Sequence, residues 1–280
     1  MCVGSKSKSA PTSPTSTAPT STPSTSTPST STSPPFTSMT DVPQTRIDVP
    51  IGAYGKPTST IPMITLDCDH VMEAYIEAGQ YDRDPYWTCI WPSSQAIAAL
   101  LLDGSLPRGD RLEELRVADF GAGLGLAGVA AAKKGAGEVV FLDREPLSLE
   151  CCVANAELNG VGDRCVPFEF DWNLPVGPLE HSFDVILVCD CLYEKFSVEP
   201  IARVLPKLLS LSPGATVVLA DPPNRARANR EKFLGLMKVC NFEIRDEARV
   251  DVNEMMAAGH RQTEVVLKQL CRRESIDFAK

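Results

Sequence analysis

The first chemical signal in the chain is the run Asp119-Phe120-Gly121-Ala122-Gly123-Leu124-Gly125. Glycines at this spacing let a backbone turn tightly and approach a ligand where a Cβ would stand in the way. The run joins an apolar segment to a helical pattern. That places it in the crevice at the carboxyl end of a strand, where open α/β sheets bind ligands. Asp143 ends the next apolar segment, 20 residues after Gly123, and is placed to accept hydrogen bonds from two ribose hydroxyls. Gly123-x-Gly125-x-x-Gly128 followed by that acid also satisfies the dinucleotide fingerprint, so a nicotinamide cofactor is a rival reading. Asp119 tips the balance. A carboxylate two residues before the first glycine suits a ligand with an ammonium group and opposes a pyrophosphate by like charge. S-adenosyl-L-methionine is therefore the expected cofactor.

These residues need a frame. Strands are expected at 115–119, 138–143, 166–170, 184–189 and 216–221, with helices at 126–134, 147–159, 198–209 and 230–239 and another starting near Ser93. Strands separated by helices imply parallel βαβ units. Segments 242–250 and 263–269 alternate in polarity with no helix between them, which implies a closing hairpin and one antiparallel strand. The expected fold class is α/β, a doubly wound, Rossmann-like seven-strand sheet, and most nicotinamide-binding domains do not end in such a hairpin.

Composition divides the chain. From Pro11 to Thr40 every residue is Ser, Thr or Pro except Ala18, Phe36 and Met39, so this stretch has almost nothing to bury against the entropy of ordering it. Residues 1–58 are read as a disordered tail and 59–280 as the folded domain. The tail lacks acids before Asp41, as transit peptides do, but carries only Lys6 and Lys8 and shows no amphipathic period. An intracellular, cytoplasmic location is expected, or an organelle if the tail is a transit peptide. The net charge is −9; without the two tail lysines the rest holds 25 basic and 36 acidic residues. An acidic body repels a phosphate backbone and suits a basic protein surface. Ten cysteines occur without a CxxC pair, so no metal site is expected, and no apolar run reaches the ~20 residues that span a bilayer.

A second constellation, Asp190-x-x-Tyr193, directly follows the fourth strand. Together with Asp84-Pro-Tyr-Trp-Thr-Cys-Ile-Trp91-Pro, the glycine turn and Phe170-Asp171-Trp172, it makes residues 80–268 resemble the seven-β-strand protein lysine methyltransferases of methyltransferase family 16. The first of these segments and Asp221-Pro222 look most like the branch that modifies the β subunit of electron-transfer flavoprotein.

The resemblance implies Asp190 and Tyr193 as catalytic residues. As cofactor-binding residues it implies Trp91, Asp119, Gly121, Gly123, Gly125, Asp143, Asp171, Trp172 and Cys189, with Trp172 lining the adenine pocket and Asp171 accepting from the adenine amino group. Trp87 matches the flavoprotein-modifying branch without an assignable role. Many methyltransferases acting on nucleic-acid or glutamine nitrogens carry Asn/Asp-Pro-Pro-Tyr/Phe where this chain has Asp190-Cys191-Leu192-Tyr193, which favours aliphatic lysine.

The implied partner is a protein with an accessible lysine, with no nucleic acid or membrane, and the expected state is a monomer. A small-molecule N-methyltransferase is the main alternative. Neutral lysine, the nucleophile, costs ~4.6 kcal/mol at pH 7. Asp190 would favour the charged amine, so its expected role is positioning rather than proton removal.

Overall fold

The computed structural model describes residues 35–106, 112–256 and 259–273. Strand β3 (Arg116–Phe120) starts a chain of parallel strands, β4 (Glu138–Asp143), β5 (Cys165–Glu169), β6 (Val185–Cys189) and β7 (Thr216–Asp221). Their connections carry helices α3 (Leu126–Lys133), α4 (Pro146–Leu158) and α5 (Val198–Leu208), while α6 (Arg227–Val239) leads into β8 (Phe242–Met256) and β9 (Gly259–Arg272). The sheet runs β5-β4-β3-β6-β7-β9-β8, with β9 antiparallel to both neighbours. A dinucleotide-binding sheet in the order 3-2-1-4-5-6 has no strand inserted beside its last parallel member, so this order counts against the nicotinamide reading.

Alternation along the central strands explains the two cores. Val117, Val139, Val185 and Leu187 pack on one face, while Ala118, Phe120, Val140, Ile186 and Val188 pack on the other. A sheet covered on both faces requires strands that are apolar throughout. Among the predicted strands, 138–143 and 216–221 coincide with β4 and β7. The closing hairpin is longer than its pattern suggested, because β8 continues to Met256 and pairs with β9 along its whole length.

The expectation of a tail reaching residue 58 needs correction. Residues 1–34 lie outside the described residues, but Gln44–Ala53 (β1) and Lys56–Leu66 (β2) form an antiparallel hairpin. Val49, Ile51, Ile61 and Met63 are at most 1% exposed. The hairpin is fastened to α4, where Asn155 accepts from Ile64 N–H at 2.6 Å and donates to Ile64 O at 3.1 Å, and Asn159 donates to Pro62 O at 2.8 Å. Tyr54 N–H reaches Asp251 O on β8 at 2.7 Å. Two short elements follow the hairpin: α1 (Cys68–Glu77), capped by Asp67 accepting from His70 N–H at 2.8 Å, and α2 (Pro92–Asp103), which Pro92 opens. Among the described residues no helix is long and apolar enough to cross a membrane.

Candidate active site

A cavity of roughly 1120 Å³, including its open mouth, lies at the carboxyl ends of β3, β4 and β6. Its first wall is the turn after β3. Gly121 and Gly123 adopt φ of 66° and 55°, a region that penalises side chains. A Cβ at Gly121 would also meet Cys191 Sγ at 2.8 Å. The turn is tied to β4, with the N–H groups of Gly121 and Ala122 donating to Leu142 O at 2.8 and 3.1 Å.

The two expected carboxylates hold this turn. Asp119 is 2% exposed and accepts from Gly128 N–H at 2.8 Å, securing the first turn of α3. Burial pushes its carboxyl up to about 7, with the Gly128 N–H pulling the other way and the Asp143 charge adding a smaller push. Asp143 accepts from Gly123 N–H at 2.9 Å and from Glu145 N–H at 3.0 Å, so it clamps the turn and the entry to α4 together. Burial raises its pKa as well, and those two N–H groups oppose the rise.

Trp172 closes the far end, stacked on Phe120 with centroids 5.7 Å apart and planes 22° apart. Asp171 does not line the cavity. Its Oδ1 accepts from the backbone and side-chain amides of Asn173 at 2.8 and 2.9 Å. Gly125 is also outside the lining and instead precedes α3 at φ 79°.

The opposite wall is made by residues 84–94 together with the end of β6. Trp91, Asp190 and Tyr193 face the cavity, as does Cys189. Asp190 adopts φ 53°, a conformation costing on the order of 1–3 kcal/mol for a residue with a Cβ. It is held there by three contacts. Its N–H donates to Ala220 O at 3.0 Å, Oδ2 accepts from Ser93 N–H at 3.2 Å, and Oδ1 accepts from Arg225 at 3.1 Å. Burial raises its pKa, opposed by Ser93 and Arg225. Tyr193 is 44% exposed and donates to Asp84 Oδ2 at 3.2 Å. Burial, with the Asp84 charge next, raises the phenol pKa.

Several residues here carried no expectation from sequence. Arg225 stacks over Trp91 at 5.0 Å and reaches Glu254 Oε1 at 3.3 Å as well as Asp190. The Asp221-Pro222-Pro223 turn that presents it is fastened by Arg230, which pairs with Asp221 and donates to Pro223 O at 2.6 Å. Trp87 also acquires a role: its Nε1–H donates to Tyr75 Oη at 3.2 Å, and Tyr75 donates to Glu145 at 3.1 Å. Arg83 joins the same carboxylate at 2.6 Å, linking the 84–94 wall to the start of α4. Asp67 as a cap, with Val71 and Tyr75 on one helical face, was the available signal for α1.

This sheet order, with a glycine turn and a carboxylate-lined crevice at its carboxyl edge, defines a Rossmann-like methyltransferase fold. A chain from Pyrococcus horikoshii described as a candidate RNA methyltransferase superposes with a TM-score of 0.54 at 15% identity, covering 69% of this chain and 92% of that one, a likeness of fold alone. The profile of the family described as "Lysine methyltransferase" matches residues 74–239, and the chain belongs to that family.

Among curated relatives, the electron transfer flavoprotein beta subunit lysine methyltransferase of Xenopus laevis is 28% identical over 167 residues, 59% of this chain and 64% of that protein. The calmodulin-lysine N-methyltransferase of Arabidopsis thaliana is 30% identical over 155 residues, 54% of this chain and 49% of that protein. The matches span 61% and 66% of the length of the Danio rerio and Rattus norvegicus flavoprotein-subunit enzymes, so all of these curated relatives are covered over less than two thirds of their length.

Proposed function

We propose that this protein is an S-adenosyl-L-methionine-dependent methyltransferase acting on lysine side chains of a protein substrate. The observation that carries the proposal is the shared cavity. The glycine turn, Asp143 and Trp172 line one side of it, and Asp190 and Tyr193 line the other. The fit to the cofactor rests on two features. Gly121 and Gly123 line the cavity without a side chain, and Asp119 is a buried, cavity-lining carboxylate held by the Gly128 N–H, with no cation paired to it among the described residues. A bound α-ammonium group supplies such a charge.

The cofactor contributes an electrophilic methyl group. Asp143 retains acceptor capacity on both oxygens for ribose hydroxyls, and Trp172 offers an aromatic face to adenine. Trp91, Gly121, Gly123 and the Cys189 backbone complete the assigned binding set. On the acceptor side Asp190 and Tyr193 orient the incoming amine. With the cofactor bound, a neutral amine held by Asp190 and Tyr193 would be placed to accept the methyl group. Alignment of two reacting atoms is worth most of such a rate enhancement.

The relatives supply the first substrates to try. Incubation with isotope-labelled methyl donor and purified calmodulin, electron-transfer flavoprotein β subunit or small aliphatic amines should label lysine in protein only. Labelling of amines alone would overturn the protein-lysine assignment.

A further inference from the structure

An amine brought beside an ionised Asp190 gains stabilisation in its protonated, unreactive form. The structure contains a group that offsets this. Arg225 is bound to the Oδ1 of Asp190 at 3.1 Å and stacked on Trp91 at 5.0 Å, and both partners line the cavity with it. We propose that Arg225 is a positioning residue that cancels the Asp190 charge at the cavity wall, so that the acceptor amine enters in its neutral form. This rests on the methyl-transfer reading above and specifies how the same site selects the reactive protonation state.

The surrounding charges leave Arg225 in this position. On the cradle side Asp119 and Asp143 are occupied by backbone N–H groups, and Glu145 is paired with Arg83 at 2.6 Å. At the mouth Asp84 accepts from Tyr193, while Arg144 faces Glu145 at 3.3 Å and Asp82 O at 3.3 Å. Behind Arg225, Glu254 is shared with Arg261 and Thr263, and Asp221 is paired with Arg230. Glu145, Asp221 and Glu254 therefore have cations besides Arg225, Asp119 and Asp143 have backbone donors, and the ion pair of Asp190 is with Arg225. The stack on Trp91 keeps the guanidinium beside the cavity instead of in solvent, and a cation over an indole face is itself favourable. With Arg225 paired to it, Asp190 presents no net charge to favour the protonated amine.

The test is the pH profile of kcat/KM for labelled-methyl transfer to calmodulin and to electron-transfer flavoprotein β subunit, measured with calorimetry of S-adenosylhomocysteine binding. Arg225→Gln should move the rising limb to higher pH by about one unit, with product affinity within about twofold of the unaltered protein. Arg225→Lys should restore the position of the limb. Glu254→Gln, which removes a counter-charge from Arg225, should move it to lower pH, and it decides the question if Arg225→Gln does not fold. A slower Arg225→Gln enzyme with an unmoved limb would overturn the inference and leave Arg225 a structural brace. If the unaltered protein methylates neither probe, the lysine reading itself fails and takes this inference with it, an outcome distinct from an unmoved profile.

Discussion

The cradle wall of the cavity is tied together by contacts within one βαβ unit, whereas the acceptor wall is tied together by contacts between segments far apart in the chain. Asp119 and Asp143 accept from the N–H groups of Gly128, Gly123 and Glu145, each at most 20 residues from the carboxylate it serves. Asp190 is held by Ser93, 97 residues away, and by Arg225, 35 residues away, and Arg225 in turn by Glu254. A wall made of local backbone contacts forms wherever the local sequence folds. One made of contacts between distant segments exists only when every supporting element is docked. Damage at a distance should therefore reach the acceptor wall first.

The strongest way to break that contrast is to remove residues 1–58. This takes away β1, whose Val49 and Ile51 are buried, and exposes the Ile61 and Met63 that they cover. At ~1.5–3 kcal/mol per buried side chain the loss is on the order of 5 kcal/mol, enough to unfold many domains. Thermal unfolding should show a large fall in Tm. If the truncated protein instead melts normally and methylates normally, the hairpin supports neither wall.

Next in size is Asp190→Ala. Displacing a group that aligns the acceptor should depress kcat about 100-fold, while the affinity for S-adenosylhomocysteine changes little, the pattern of an interaction made in the transition state. Asp143→Ala should do the reverse. Loss of a charged hydrogen-bond acceptor should weaken cofactor binding by ~1–3 kcal/mol, read by calorimetry, with a smaller effect on turnover at saturating cofactor. Equal effects of both variants on both parameters would erase the distinction between the walls.

The contrast also governs what could be read from the residue order. The glycine turn was legible because its partners, Asp119, Asp143 and Gly128, lie within one βαβ unit. Strands β4 and β7 were legible because uninterrupted apolar runs end at Asp143 and Asp221. Trp87 had no readable purpose because its partner Tyr75 belongs to a helix that the pattern did not disclose. Arg225 was hidden for the same reason, since nothing beside it in sequence announces Asp190 or Trp91. The β1–β2 hairpin was obscured by Pro50, Pro57 and Pro62 and by the Ser/Thr/Pro stretch before it, although Val49 and Ile51 alternate with their neighbours as a half-buried strand requires.

The smallest expected effect sharpens the cradle side. Asp119 has a folded pKa of about 7, above its ordinary 3.8. Its contribution to stability is therefore full below pH 3.8 and is lost as pH rises through 7. A cationic ligand reverses this preference. Affinity for S-adenosylhomocysteine should fall as pH drops from about 7 to 5, by at most about tenfold per unit because a single proton is taken up. Asp119→Asn should flatten that dependence, and a profile unchanged by the substitution would take the ammonium away from Asp119.

Strand β9, made after every other strand of the sheet, is inserted between β7 and β8. Until residues 259–272 are made, β8 has no neighbour in the sheet, and Glu254 has no fixed place from which to hold Arg225. The glycine turn and the carboxylate that clamps it are made by Glu145 and can organise while more than a hundred residues are still to be synthesised. Chain growth runs at ~5–20 residues per second and domains gain structure as it proceeds. The acceptor wall is thus assembled only after β9 has been made, by a non-local pairing of the kind that sets slow folding rates. A chain stalled or truncated before β9 would carry a cofactor cradle with no organised place for its target.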